Sequence, residues 1–147
     1  MLSRRNGGLE LERHFGISDW LSDGKHVAEI NRFSIPRHPR ASAIKLGLFK
    51  LLYLDELRMG FTHLAIVARK PAIPQYKAIG FEDFPGRNVF LHPALGNLPH
   101  YVLTLRLVRS DASPSPRHPL HEQHPLHRFF CTENHPNIIL YQEEADK

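Results

Sequence analysis

Four groups of residues in this sequence have types and spacings that can do chemistry. Glu29 and Arg32 stand three apart in the run Glu29-Ile30-Asn31-Arg32-Phe33. A carboxylate shielded within a strand can have a raised pKa and take a proton from an amine. Arg37, Arg40 and Lys45 surround Ser42 ahead of a long apolar segment. Such cations suit a single phosphate at a helix N-terminus, or the acidic surface of a partner protein. Tyr76 places a phenol four residues before Gly80. His118, His121, His124 and His127 recur at every third position, followed by Cys131 and His135. Pro119 and Pro125 prevent a helix there, but one edge of an extended polyproline II segment has the same period. That pattern suits adventitious transition-metal binding more than a specific zinc site, and no metal is expected in the chemistry.

Composition narrows the classes. The chain has 147 residues with 12 Pro, 11 His and one Cys. A single thiol excludes an internal disulfide framework and any Cys-rich zinc module. No apolar run approaches the roughly 20 residues of a membrane helix. The arginines at positions 4 and 5 have no apolar stretch behind them, so no secretory signal is expected and a cytoplasmic location is. The formal net charge is +4. Its densest basic stretch, residues 32–40, is a local loop and not a stripe along the chain, which argues against a nucleic-acid partner. Composition shifts near residue 110, where Pro and His become dense. An ordered domain over 8–110 and a Pro/His-rich tail over 111–147 are expected.

The elements that must position these groups follow from patterning. Residues 26–35 read as a strand ended by Pro36. Ser42 can cap a helix over 43–59, stopped by Gly60, with Ile44, Leu48, Leu51, Leu52 and Leu54 at helical spacing and Leu46 and Phe49 broadening the stripe. Residues 63–68 read as a buried strand, parallel to the first because a long helix joins them. Pro74 suits the first turn of a short helix over 75–79, closed by Gly80. Short strands are expected at 81–84 and 89–91, on either side of a Pro85-Gly86 turn, and a longer one at 101–108. The order is that of an α/β layer protein.

In this order, Tyr76-Lys77-Ala78-Ile79-Gly80-Phe81 resembles the Y-x-x-x-G-F segment of GNAT-type acyltransferases. Glu29-Ile30-Asn31-Arg32-Phe33 is similar to the E-x-S-R-F signature of autoinducer (acyl-homoserine-lactone) synthases, and to the matching strand of N-acyl amino acid synthases. Residues 9–15 resemble the approach segment of that acyl-carrier-protein-dependent branch, and the likeness extends over about 9–108. It implies a GNAT-like mixed sheet, with a long helix after the E-x-x-R strand and a short helix before the G-F strand. The first strand and helices of a complete fold are expected to be missing at the N-terminus. Asn31 stands where autoinducer synthases usually carry Ser, which turns the reading away from a homoserine-lactone product.

The resemblance also implies roles. Glu29 would be the base for the amine, Arg32 the organiser of the acceptor side and Tyr76 the acid for the departing thiolate. Phe33, Ile35, Arg37, Arg40, Ser42 and Lys45 would hold the donor. Acetyl-CoA users carry a glycine-rich Q/R-x-x-G-x-G/A loop whose N–H groups approach a pyrophosphate. Residues 37–43, Arg-His-Pro-Arg-Ala-Ser-Ala, have no glycine. The donor implied is therefore an acyl-phosphopantetheine thioester, carried on acyl carrier protein or on CoA, with no resident cofactor. The acceptor would be an amino acid or similar small amine. A plain acetyl-CoA-dependent N-acetyltransferase is the rival enzyme. A catalytically inactive remnant, acting as a binding module or as a homo-dimer through an uncovered sheet edge, is the rival from another class.

Overall fold

The computed structural model describes residues 2–4, 9–13, 15–17, 24–30, 35–107, 125 and 128. Six strands form one mixed sheet: β1 (Leu2–Arg4), β2 (Val27–Ile30), β3 (His63–Ala68), β4 (Glu82–Asp83), β5 (Val89–His92) and β6 (Leu98–Arg106). Helix α1 (Ala41–Arg58) joins β2 to β3, and the short α2 (Ile73–Ala78) leads toward β4. Strand order across the sheet is β1-β2-β3-β6-β4, with β5 also paired to β6. β2 and β3 run parallel, as the long helical connection requires, and the other pairings are antiparallel.

One expectation is corrected at the start of the chain. Leu2–Arg4 pairs antiparallel with β2, Ser3 opposite Glu29, so a strand does border β2 on the side where none was foreseen. Three residues carry too little periodicity to be read as a strand without the partner that pairs with them.

α1 begins at Ala41, so Ser42 lies inside its first turn and is exposed. Ser42 is not the cap. His38 closes the turn instead: its Nδ1 accepts the Arg40 N–H at 3.0 Å and its carbonyl accepts the Ala41 N–H at 3.0 Å. The buried side of α1 also differs from the expected stripe. Phe49, Tyr53 and Glu56 are buried against the sheet, while Ile44 and Leu48 are 43% and 38% exposed. Apolar residues run almost all round this helix, so spacing alone does not select a face. The aromatic side chains decide it, because they bury most area.

β6 begins at Leu98, three residues before the expected start, despite Pro99. Pro99 opposes Leu91 of β5, and the pairing of β6 with β3 begins only at Tyr101. A proline lacking its N–H is tolerated where a strand has one neighbour. α2 starts at Ile73, with Pro74 in its first turn. Gly80 at φ 103° ends it and lets the Phe81 N–H return to the Tyr76 carbonyl at 3.1 Å.

The sheet separates two cores. On the α1 face, Ala28, Ile30, Leu64, Ile66, Leu103 and Leu105 pack with Phe49, Tyr53, Tyr76 and Phe81. On the other face, Val27, Ala65 and Val102 pack with Leu9, Leu11, Ile17, Phe84 and Phe90. No helix among the described residues is long and apolar enough to cross a membrane.

Candidate functional site

Strand alternation assigns the candidate residues to opposite faces. Ala28 and Ile30 face α1, so Glu29 between them faces the other core. It is 2% exposed, and its carboxylate accepts the Leu11 N–H, at 3.1 Å to Oε1 and 3.3 Å to Oε2. Leu11 lies in the short 3-10 turn Glu10–Arg13, which therefore docks on the sheet through this carboxylate. Hydrogen bonds to a charged acceptor are worth about 1.5–3 kcal/mol when buried. Across the sheet Glu29 is in register with Ala65, and Ala65 with Thr104.

Tyr76 lies on the α1 face. Its ring forms a near-perpendicular trio with Phe49 and Phe81, with centroids 5.8–5.9 Å apart in each pair. The Tyr76 hydroxyl makes no hydrogen bond among the described residues, and the residue is 7% exposed. Burial holds its phenol above the usual tyrosine range, so it keeps its proton at neutral pH.

Lys45 reaches toward this tyrosine instead of toward the loop ahead of α1. Its Nζ donates to Gln75 Oε1 at 2.6 Å and sits 4.6 Å from the centroid of the Tyr76 ring. Partial burial lowers its pKa from the usual lysine value. Arg37, Arg40 and Ser42 are exposed around the start of α1, and Ile35 is half-buried beside them. Lys45 is thus separated by its partners from the two arginines with which it was grouped. Arg32 and Phe33 lie outside the described residues, as do the four regularly spaced tail histidines, His135 and Cys131. Among the described residues, no three His, Cys, Asp or Glu side chains gather to hold a metal.

Sequence reasoning missed two features of the Glu29 face. One is the Leu11–Glu29 hydrogen bond, which joins residues 18 apart. The other is a cavity of about 380 Å³ lined by Phe15, Phe84, Pro85, Arg87, Val89 and Phe90. Phe84 and Phe90, on either side of the Pro85-Gly86 turn, are the sequence signal for it.

The sheet order and the long helix after β2 define a mixed α/β fold that is similar to that of an N-acyl amino acid synthase. Among solved structures the chain is similar to FeeM, an N-acyl amino acid synthase from uncultured soil microbes, with a TM-score of 0.59 at 18% identity. The likeness covers 72% of this chain and 60% of the FeeM chain. No protein-family model matches the sequence, and no curated protein matches it by sequence.

Proposed function

We propose that the chain is an N-acyltransferase that moves an acyl group from a phosphopantetheine thioester to the amine of an amino acid. The observation that carries this reading is the shared fold with an N-acyl amino acid synthase; Tyr76, in the segment that resembles Y-x-x-x-G-F, packs on the α1 face of the sheet. In the reaction the amine nitrogen attacks the thioester carbonyl carbon, the C–N bond forms and the C–S bond breaks. The thiolate leaves with a proton from the Tyr76 hydroxyl, which has no competing hydrogen bond among the described residues. We assign uptake of the ammonium proton to Glu29 only through a water relay, since that carboxylate is buried under Leu11 and faces the side of the sheet opposite Tyr76. Arg32 organises the acceptor side.

Acyl carrier protein is the donor carrier this reading favours. Exposed Arg37 and Arg40 at the start of α1 offer cations to an acidic partner surface, and the loop lacks the glycines that a CoA pyrophosphate needs. We assign Ile35 and Ser42 to the path of the phosphopantetheine arm, together with Phe33, which lies outside the described residues, as the resemblance implies. Lys45, turned toward Gln75, steadies the Tyr76 ring instead of meeting the phosphate. One observation favours a second reading, that of a non-catalytic binding module: the Glu29 carboxylate is already engaged by the backbone of Leu11.

Thiol release from acyl-carrier-protein and acyl-CoA donors, measured against a panel of amines, tests the proposal. Turnover is expected with a fatty acyl carrier protein and an amino acid, and Tyr76→Phe should reduce it by about 10²–10⁴-fold. Glu29→Gln should also slow it, with melting curves run alongside to show that the variant folds. Absence of turnover with every donor would leave the binding-module reading in its place, and undiminished turnover by both variants would remove the roles given to Tyr76 and Glu29.

A further inference from the structure

We propose that the cavity between Phe15, Phe84 and Phe90 binds a small monocarboxylate with an apolar body, anchored by Arg87, and that this ligand is the acceptor amino acid, with a purely apolar side chain. The second half rests on the acyltransferase reading above. The first half stands on the cavity alone.

The volume, about 380 Å³, lies within the roughly 300–1,000 Å³ range of small-molecule sites. Its walls are fixed by ring contacts: Phe15 meets Phe84 edge-on at 5.2 Å and Phe90 at 6.1 Å. Phe84 and Phe90 are buried in the core of this face, so the aromatic surface is already in place before a ligand arrives. Preformed walls reduce the entropy lost on binding.

Arg87 is the one charged side chain of the lining. The loop that carries it is braced at both ends. The Phe84 N–H donates to the Val102 carbonyl at 3.0 Å, and the Val102 N–H donates to the Asn88 carbonyl at 2.7 Å. Asn88 Nδ2 also donates to Asp83 Oδ1 at 3.1 Å, and Lys77 Nζ pairs with Asp83 Oδ2 at 3.0 Å. Both oxygens of the neighbouring carboxylate are therefore engaged, and Arg87 makes no ion pair or hydrogen bond among the described residues. A guanidinium on a braced loop beside aromatic walls is a fork waiting for a planar oxyanion, and a carboxylate matches it with two parallel hydrogen bonds.

The same lining sets the preference for the rest of the ligand. Apart from Arg87, its side chains are Phe, Pro and Val, with none to pair a hydroxyl, amide or charge on the ligand's own side chain once the α-ammonium is left to solvent at the open mouth. A phenol or an amide lying against the phenylalanine rings would lose water there without a side chain to replace it. Leucine or phenylalanine should thus be preferred over tyrosine, glutamine or lysine. The cavity is also coupled to Glu29. It lies on the same face of the sheet, and the Phe15 N–H donates to the carbonyl of Leu11, whose own N–H is held by the Glu29 carboxylate.

Calorimetric titration of the full chain tests the inference with defined probes: L-phenylalanine, L-leucine, L-tyrosine, 3-phenylpropionate, 2-phenylethylamine and octanoate. Phenylalanine, leucine and 3-phenylpropionate should bind, and 2-phenylethylamine, which lacks the carboxylate, should bind at least tenfold more weakly (about one charge-assisted contact). Arg87→Gln should weaken phenylalanine by about 10–100-fold with an unchanged melting temperature, since the side chain is exposed, and Arg87→Lys should restore part of the loss. Equal binding of the amine and the amino acid, or no effect of Arg87→Gln, overturns the site. Octanoate binding with no amino acid binding overturns the acceptor assignment. Arg87-dependent binding without acyl transfer from any donor leaves the cavity standing and removes the acyltransferase reading. Acyl transfer with the same KM for phenylalanine in Arg87→Gln does the reverse.

Discussion

On one face of the sheet an 18-residue helix covers the strands, with Phe49 locked against Tyr76 and Phe81. On the other face a 3-10 turn and three phenylalanines do the covering, and one carboxylate ties the turn down. The first face distributes its stabilisation over many ring contacts. The second concentrates attachment in Glu29 and leaves a cavity beside Arg87. A face covered by regular structure is suited to rigidity. A face covered by irregular segments can be shaped around a ligand, because loops tolerate local geometry that a helix does not.

The contrast is open to test from either side. Phe49→Ala should have the largest effect, about 3–5 kcal/mol lost in a denaturant or thermal melt, because it removes two ring contacts and leaves a cavity under α1. A loss below about 1 kcal/mol would show that the helix face is less tightly packed than its ring geometry implies. Glu29→Ala should cost about 1.5–3 kcal/mol. Hydrogen exchange at the Leu11 amide should accelerate, while the amides of β3 and β6 keep their protection. Glu29→Gln keeps an acceptor oxygen and should cost less.

The third test uses pH. His63 lies on the Glu29 face, opposite Val27, and its Nδ1 is 2.8 Å from the Thr62 hydroxyl oxygen. Burial, then the positive charges of Lys25 and Arg106, depress its pKa to about 4. Between pH 6.5 and 4 the unfolded chain takes up a proton here that the folded chain refuses, so stability falls as pH falls through that window. Because the ring is only half-buried, about 1–2 kcal/mol is at stake. His63→Gln should flatten that part of the pH–stability curve, and an unchanged slope would remove His63 as the cause. The smallest effect is expected for Tyr76→Phe, under about 1 kcal/mol of stability, since the hydroxyl makes no bond among the described residues to lose. A larger loss would mean that this hydroxyl is structural and not available as an acid.

Much of the architecture was legible in the chain because its signals are local. Residues 63–68 form a strand with the bounds their apolar run suggests, and Gly80 takes the positive φ that a helix C-terminus before Phe81 requires. The parallel pairing of β2 and β3 followed from the length of their connection. The candidate site was legible only as a set of residue types. Lys45 could be grouped with Arg37 and Arg40 by proximity in sequence, yet its ammonium is drawn to Gln75 and the Tyr76 ring, 30 residues on. Ser42 had the chemistry of a cap, but the helix begins at Ala41, two residues before the expected start, and no side chain caps its N-cap residue Arg40.

By itself the sequence determined the main element types after residue 26, the succession of a long helix and a short one between the strands, and the placing of Glu29 on a strand and Tyr76 on a helix. Periodicity, glycine and proline act over a few residues and need no partner. Which face of α1 is buried, that Glu29 and Tyr76 lie on opposite sides of the sheet, and that Phe15, Phe84 and Phe90 enclose a cavity beside Arg87 were decided only by the tertiary structure. Those outcomes depend on contacts between residues far apart in the chain, and such contacts exist only once the sheet has brought their elements together.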